Sequence, residues 1–339
     1  MKNLINKIYA YFLKNYKKII GDLLFIIIFI TFCYYPLPFV VYRPGGLINL
    51  NDRVTIDNGD SISGSYNMSY VTVARGTLPN LILASVINNW DIKKESDSLA
   101  YDEDYETNLK ISQLDLQNSV DIAKLVAFKK AGYDVAIKNK QIVVKSIDKK
   151  SNTNLQILDK IEMINGINCE DIIDLRSYIN SFEIGDKVIF SVIDENENVQ
   201  ERYAYIYEHE NRKVVGITFF EKYDYTTPLE VSFTSKATES GSSGGLMLTL
   251  AMYDQLIKED LTNGKTIVGT GTIDQYGNVG AIGGIKYKML GVDGKADAFL
   301  VPQDNCDEAQ VVYEKYDLNF KFTCVATIDE AISYLNSIK

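Results

Sequence analysis

One histidine, His209, serves the whole 339-residue chain, and the four cysteines, Cys33, Cys169, Cys306 and Cys324, form no C-x-x-C pair. That scarcity excludes a zinc site, which needs clustered imidazoles or thiols, and neither a metal nor a cofactor is expected. A Ser-His-Asp triad would have to use His209. It lies in the polar turn Glu208-His209-Glu210-Asn211-Arg212, where a structural or solvent-exposed place is expected. No G-x-x-x-x-G-K-[ST] run occurs, so an ATPase of the phosphate-loop kind is excluded too. Basic charge is outweighed by acidic charge beyond the N-terminus. Lys2, Lys7, Lys14, Lys17 and Lys18 against Asp22 make the first 42 residues +4, which leaves −14 for the remainder of a chain whose net charge is −10. Such acidity excludes nucleic acid as a partner. Free thiols are the expectation for the cysteines, with a Cys306–Cys324 disulfide as the alternative.

What the chain does have begins with an apolar run, Leu23 to Val41, LLFIIIFITFCYYPLPFVV. Its 19 residues approach the ~20 that span ~30 Å of hydrocarbon. Pro36 and Pro38 mark the end of regular helix, and Tyr34 and Tyr35 suit an interfacial belt. Lysines before the run, with Arg43 alone just after it, predict a single-pass cell-membrane protein. Residues 1–18 are then a cytoplasmic basic segment, 19–42 a transmembrane helix in contact with lipid, and the remainder extracytoplasmic. A cleaved signal peptide is the alternative. Against it, no small-x-small site follows the run, and Ile30-Thr31-Phe32 lacks the small residue that precedes a lipoprotein cysteine.

Residues 43–113 read as a β-rich membrane-proximal region with a polar linker at 91–109, and Val54–Ile56, Tyr70–Val73 and Leu81–Ile87 as its short strands. Residues 114–212 open with a helix striped by Leu114, Val120, Ile122, Leu125, Val126 and Phe128 and closed by Gly132. Then come a strand at Ile142–Ser146, a strand and turn through Leu158–Gly166, a helix at Ile172–Ile179 and a strand at Gly185–Val192. The I-x-x-I-N-G turn and the G-D-K-V-x-F-x-V strand resemble a PDZ domain of the kind found beside bacterial proteases. Such domains capture extended peptides along a strand edge. The family's K-x-G-D before the turn is replaced here by Leu155-Gln156-Ile157-Leu158-Asp159, and its Gly-rich carboxylate loop is not evident. A mere spacer between membrane and C-terminal domain is the plainer reading.

Residues 213–339 have another texture, apolar runs bracketed by glycine and serine. Glu239-Ser240-Gly241-Ser242-Ser243-Gly244-Gly245 leads into a helix with Leu246, Leu250, Tyr253 and Ile257 at helical spacing. A serine there sits at a helix N-terminus, where unpaired N–H groups favour developing negative charge. Val268 to Ile273 and Val279 to Ile282 read as a hairpin. Gly283 to Val292 reads as a turn into a helix whose face carries Ile285, Met289 and Val292. Lys288 shares that face and Lys286 points away. A lysine in an apolar stripe either snorkels to water or is buried with a lowered pKa, and the pattern alone leaves both open.

In order and spacing these three segments resemble the proteolytic domain of the Lon family. Its G-P-S-A-G corresponds to Gly241-Ser242-Ser243-Gly244-Gly245, its T-G-E-I to Thr270-Gly271-Thr272-Ile273, and its I-G-G-L-K-E-K to Ile282-Gly283-Gly284-Ile285-Lys286-Tyr287-Lys288. Ala296 to Pro302 looks like the family's next strand. Anchor, PDZ-like and Lon-like parts in this order resemble the membrane-bound YlbL-type proteins. The departures are Ser242 for proline, Gly244 for alanine and Ser240 for an acidic residue. The resemblance implies a Ser243–Lys288 dyad, with Thr270 orienting the lysine and Gly241 and Gly244 shaping the nucleophile turn and oxyanion region. It implies an α+β fold, an N-terminal transmembrane helix followed by a β-rich, PDZ-like module and a proteolytic domain of mixed sheets and helices. The expected function is ATP-independent cleavage of extracytoplasmic proteins or peptides, with substrates selected by the PDZ-like part and homo-oligomers expected by analogy. The alternatives are a catalytically silent PDZ scaffold and self-processing within 91–109.

Overall fold

The computed structural model describes residues 2–97 and 105–338. Two compact units divide the chain, Met1–Arg43 with Thr72–Ser98, and Pro44–Val71 with Leu99–Lys339. Part of the expected 91–109 linker, residues 98–104, lies outside the described residues.

In the first unit a helix runs Lys2–Tyr34 and stops ahead of Pro36, whose ring and missing N–H oppose its continuation. The expected span at 19–42 is therefore divided, because Leu37 already opens the strand Leu37–Asn49. A stretch of about 20 residues ending at Tyr34 takes in Lys17, Lys18 and Asp22. Among the described residues no helix is long and apolar enough to cross a membrane. The strand Asp91–Lys94 pairs antiparallel with the first strand, Phe39 opposite Lys94 and Tyr42 opposite Asp91. Leu78–Val86 is a helix, which corrects the strand expected at Leu81–Ile87. A continuous apolar run does not separate helix from strand, whereas Pro79 in the first turn favours a helix start.

The second unit is built on a sheet ordered Lys321–Val325, Ala298–Pro302, Thr266–Gly269, Ser65–Gly76 and Leu37–Asn49, the last two belonging to this unit through residues 65–71 and 44–49. The first four run parallel. Ala298–Pro302 is buried at every position, as a strand covered on both faces must be. Residues 43–113 were expected as a separate membrane-proximal region. Instead Ser65–Gly76 lies inside this sheet, with Tyr66 opposite Ile267 and Met68 opposite Gly269. Thr266–Gly269 thereby gains a partner on each side.

The helix Gly245–Leu256 is buried without interruption from Gly245 to Met252. It packs against the sheet and against the helix Tyr105–Lys130, whose Leu116, Val120, Ala123 and Ala127 share one core with Leu246 and Leu250. That helix was expected as the preface to the PDZ-like module, and its stripe packs into the core around the helix Gly245–Leu256 instead.

The module has its own sheet, ordered Ile217–Thr226, Ala136–Ile147, Lys160–Ile164, Lys187–Ile193 and Val199–Tyr205. The helix Ile172–Asn180, capped by Asp171 accepting from the Asp174 N–H at 2.9 Å, inserts Leu175 and Ile179 among Val188, Phe190 and Val192. Every element expected within 142–192 is present. The module does not end at 212, since Ile217–Thr226 pairs along the length of Ala136–Ile147. Leu158, where the related motif carries glycine, has a φ of +74°, a left-handed conformation that strains a bulky side chain.

Cys306 and Cys324 form a disulfide with a Cα–Cα distance of 5.7 Å, correcting the expectation of four free thiols. Cys33 and Cys169 remain free. Cys306 opens the helix Cys306–Tyr316, and Cys324 lies opposite Val301 in the strand alongside. Spacing alone cannot reveal a pairing made by a parallel strand register. A bridge across a sequence separation of 18 contributes about 3 kcal/mol by the chain-entropy argument. Cys306→Ser is accordingly expected to lower unfolding stability by about 3 kcal/mol in urea titrations, and dithiothreitol to lower the wild type to the same midpoint. Equal midpoints with and without reductant would count against the bridge.

Candidate active site

Ser243 is half-buried in the turn that delivers the chain into the helix Gly245–Leu256, with Gly244 at the N-cap. The turn is held from outside its own segment. The Gly241 N–H donates to the Ser112 carbonyl at 2.7 Å, and the Ser119 hydroxyl donates to the Ser242 carbonyl at 3.2 Å. The Gln113 amide donates to the Ala237 carbonyl at 2.8 Å. All three partners lie on the helix Tyr105–Lys130. On the other flank Arg53 forms an ion pair with Glu239 at 3.0 Å and donates to the Thr234 carbonyl. Glu239 also accepts from the Lys236 N–H at 2.9 Å.

The small residues of the turn answer to this packing. A Cβ on Gly245 would lie 2.8 Å from Ser119 Oγ and 3.0 Å from the Ile273 nitrogen. One on Gly244 would lie 2.6 Å from Met68 Sδ, which occupies the space that the family's alanine would need. Beside the turn is a cavity of about 470 Å³, lined by Ser243, Gly241, Met68, Tyr70, Arg53 and Glu239 among others.

Thr270 sits where the expected hairpin strand is broken. Thr266–Gly269 belongs to the main sheet, and Thr272–Ile273 pairs separately with Val279–Gly280. At the break the Thr270 N–H donates to the Leu300 carbonyl at 3.1 Å. Its hydroxyl donates to the Ser243 carbonyl at 3.1 Å and accepts from Lys288 Nζ at 2.8 Å. The Ser243 carbonyl also accepts from the Gly271 N–H at 2.8 Å. One hydroxyl thus joins the backbone of Ser243 to the amine of Lys288.

Lys288 lies on the buried face of the helix Ile285–Val292 with Ile285, Met289 and Val292, and only 3% of it is exposed. The helix seats closely because Gly291 meets the backbone of Gly45 and Gly46, where a Cβ would approach to 2.8 Å. Asn305 fixes the entry to that helix from both sides. Its side chain accepts from the Ile282 N–H at 2.8 Å and donates to the Ile282 carbonyl at 3.0 Å. Burial pushes the Lys288 amine from its ordinary 10.5 down to about 7. Of the two readings of the striped lysine, burial is the one realised.

Ser243, Thr270 and Lys288 therefore converge, and Gly241 and Gly244 flank the serine. The Gly241 N–H is committed to the Ser112 carbonyl, which fixes the turn. His209 lies in the separate hairpin Tyr207–His209 with Arg212–Val214. Ser119 and Asn305 escaped the sequence reading, although Ser119 carries the signal that exposed Lys288, a polar residue within a buried helical stripe.

The family model for the Lon protease (S16) C-terminal proteolytic domain matches residues 191–336, which contain all three converging residues. A Lon-type proteolytic domain is that of a serine peptidase. Among solved structures, the PDZ domain of an SdrC-like protein from Listeria monocytogenes is similar at 19% identity and a TM-score of 0.21, over 23% of this chain and 85% of that one. No curated protein matches the chain.

Ser119→Ala is expected to reduce kcat about tenfold with little change in KM, since it frees the Ser243 turn and leaves the cavity intact. Gly245→Ala, which meets backbone at Ile273, is expected to be more damaging than Gly244→Ala, which meets the movable end of Met68. Steady-state kinetics of the three variants on a fluorogenic peptide check both orders; an unchanged kcat for Ser119→Ala would remove the helix from the site.

Proposed function

We propose that the protein is a membrane-anchored, ATP-independent serine endopeptidase that cleaves extracytoplasmic proteins or peptides with a Ser243–Lys288 dyad. The observation that carries this reading is the buried amine of Lys288, whose pKa lies near 7 and whose hydrogen bond goes to the hydroxyl that also holds Ser243. An amine that is neutral near physiological pH serves as a base, and an ordinary surface lysine does not.

In this mechanism the neutral Lys288 Nζ takes the Ser243 Oγ proton as that oxygen attacks a peptide carbonyl carbon. The oxyanion is stabilised by N–H groups at the start of the helix Gly245–Leu256, those of Ser243 and Gly244. The ammonium then returns its proton to the departing amine as the C–N bond breaks, leaving an acyl-serine. Lys288 next takes a proton from the water that attacks this ester and gives it back to Ser243 Oγ. Thr270 orients the amine throughout. Because its hydroxyl hydrogen is given to the Ser243 carbonyl, it accepts an N–H from Lys288 and leaves the amine lone pair for Ser243 Oγ.

The cavity beside Ser243 is the place for substrate side chains, and the PDZ-like module is the selector or gate for extended segments. Anchoring is supported by the lysine-flanked apolar helix, on which Leu23, Phe25, Ile28 and Phe32 are more than half exposed. An extracytoplasmic address is supported by the Cys306–Cys324 bridge, because reducing compartments keep such thiols free.

Ser243→Ala and Lys288→Met are each expected to lower casein hydrolysis by at least about 10³-fold, and equal activity in all three proteins would remove the dyad. In the wild type kcat/KM is expected to rise as pH passes about 7, where Lys288 loses its proton. Lys288→Met is also expected to be the more stable protein. The folded-state pKa lies below the unfolded one, so the unfolded chain binds more protons between about 7 and 10.5 and wild-type stability rises with pH across that window. The gain from Lys288→Met, on the order of 1–3 kcal/mol, is therefore largest below pH 7 and fades toward pH 10.5. Urea titrations across that range measure it.

A further inference from the structure

The short helix Leu78–Val86 presents an apolar face that neither the dyad nor the cavity uses. Ile82, Leu83, Val86 and the following Ile87 are 56%, 44%, 72% and 38% exposed, while Ala84 on the opposite side is buried. Positions 82, 83, 86 and 87 fall on one side of a helix. The connections at both ends of this helix place it near the end of the long N-terminal one. Just before it, Gly76 packs so closely on Phe39 that a Cβ would lie 2.8 Å from the Phe39 side chain. Just after it, the strand Asp91–Lys94 pairs with Phe39–Tyr42. Phe39 follows Tyr34, the last residue of the long helix, by a few residues. Tyr34 and Tyr35 are both exposed there, and Trp90 is covered by the Arg43 guanidinium at 4.9 Å.

We infer that this face docks on a lipid surface, with the helix Leu78–Val86 lying in the interfacial layer of the bilayer that the N-terminal helix enters. The inference rests on the anchoring reading proposed above and adds a second, peripheral contact to it. Two observations favour lipid over a second copy of the chain. From Leu23 to Phe32 the long helix is apolar on every side, which fits a surrounding solvent of hydrocarbon and not a partner on one face. Its apolar helical stretch also ends at Tyr34, so that Leu23–Tyr34 covers about 18 Å of the ~30 Å core. A second apolar helix at that end supplies lipid-facing surface where the first falls short. Aromatic side chains beside it, Trp90 under Arg43 and the two tyrosines, are the residue types that settle at headgroup level.

Trp90 is the sole tryptophan, which makes it a built-in depth probe. The full-length chain is reconstituted into phosphatidylcholine–phosphatidylglycerol vesicles and floated on a density gradient. Its emission is then compared with lipids brominated near the carbonyls and lipids brominated near the chain ends. The expected result is flotation, strong quenching by the shallow bromines and little by the deep ones. In Ile82→Glu/Leu83→Glu/Val86→Glu the shallow quenching is expected to be lost while flotation and casein hydrolysis persist. Flotation with Trp90 unquenched in the wild type would overturn the docking and leave the anchor standing. Cross-linking of Leu83→Cys between two copies under those conditions would assign the face to self-association instead. A chain that does not float would overturn the anchor and this inference with it. The wild-type measurement decides the matter even if the triple variant fails to fold.

Discussion

An amine buried without a counter-ion constrains everything around it. Lys288 is 3% exposed, no salt bridge reaches it among the described residues, and desolvation is the cause of its lowered pKa. Burial favours the neutral form of such a group and requires an acceptor for its N–H. Thr270 provides that acceptor, and its own position follows from the Leu300 and Ser243 carbonyls. The direction of the relay is dictated by the donors available. A carbonyl can only accept, so the threonine hydrogen points to Ser243 and the threonine oxygen accepts from the Lys288 amine. Serine backbone, threonine hydroxyl and lysine amine thus form one unit, and displacement of any member is felt by the others.

That unit is not contained in the segment whose motifs identify it. The Ser243 turn and the segment just before it share three hydrogen bonds with the helix Tyr105–Lys130, and Arg53 adds an ion pair. The lysine helix leans on Gly45 and Gly46, and Ser65–Gly76 completes the sheet beneath. The PDZ-like module is inserted in the chain between that helix and the Ser243 turn, and Ile217–Thr226 is an edge strand of its sheet. The helix that holds the Ser243 turn and the first strand of the module, Ala136–Ile147, are joined by a few residues. This continuity gives the gating role of the proposed function a physical route.

Local chemistry was legible in the sequence, and long-range pairing was not. Lys288 stood out because a polar residue in a helical stripe violates the pattern around it, and the glycines of the turn stood out as punctuation. Ser119 violates its own stripe between Leu116 and Ala123 in the same way, yet a serine is a weaker signal than a charge. The stripe of Tyr105–Lys130 announced a buried face without naming what would cover it. Ser65–Gly76 read as a local strand because nothing in its residues specifies Thr266–Gly269 as its neighbour across the chain. Leu81–Ile87 went the other way, since four aliphatic residues in a row satisfy both periods and the decision rested on Pro79. The disulfide depended on the register that sets Cys324 opposite Val301, which no spacing rule contains.

One of the least legible features, the disulfide, also offsets part of the cost of the buried lysine. Keeping an amine of ordinary pKa 10.5 neutral at pH 7 opposes folding, because the unfolded chain keeps the proton that the folded one gives up. The bridge from Cys306 to Cys324 returns about 3 kcal/mol to the same part of the core. It does so next to the residue where precision matters, because Cys306 follows Asn305, the clamp on Ile282 at the entry to the lysine helix. The restraint is thus applied beside the clamp at the entry to the helix that carries Lys288. Stability and basicity are coupled here through one short stretch of backbone, residues 282–288.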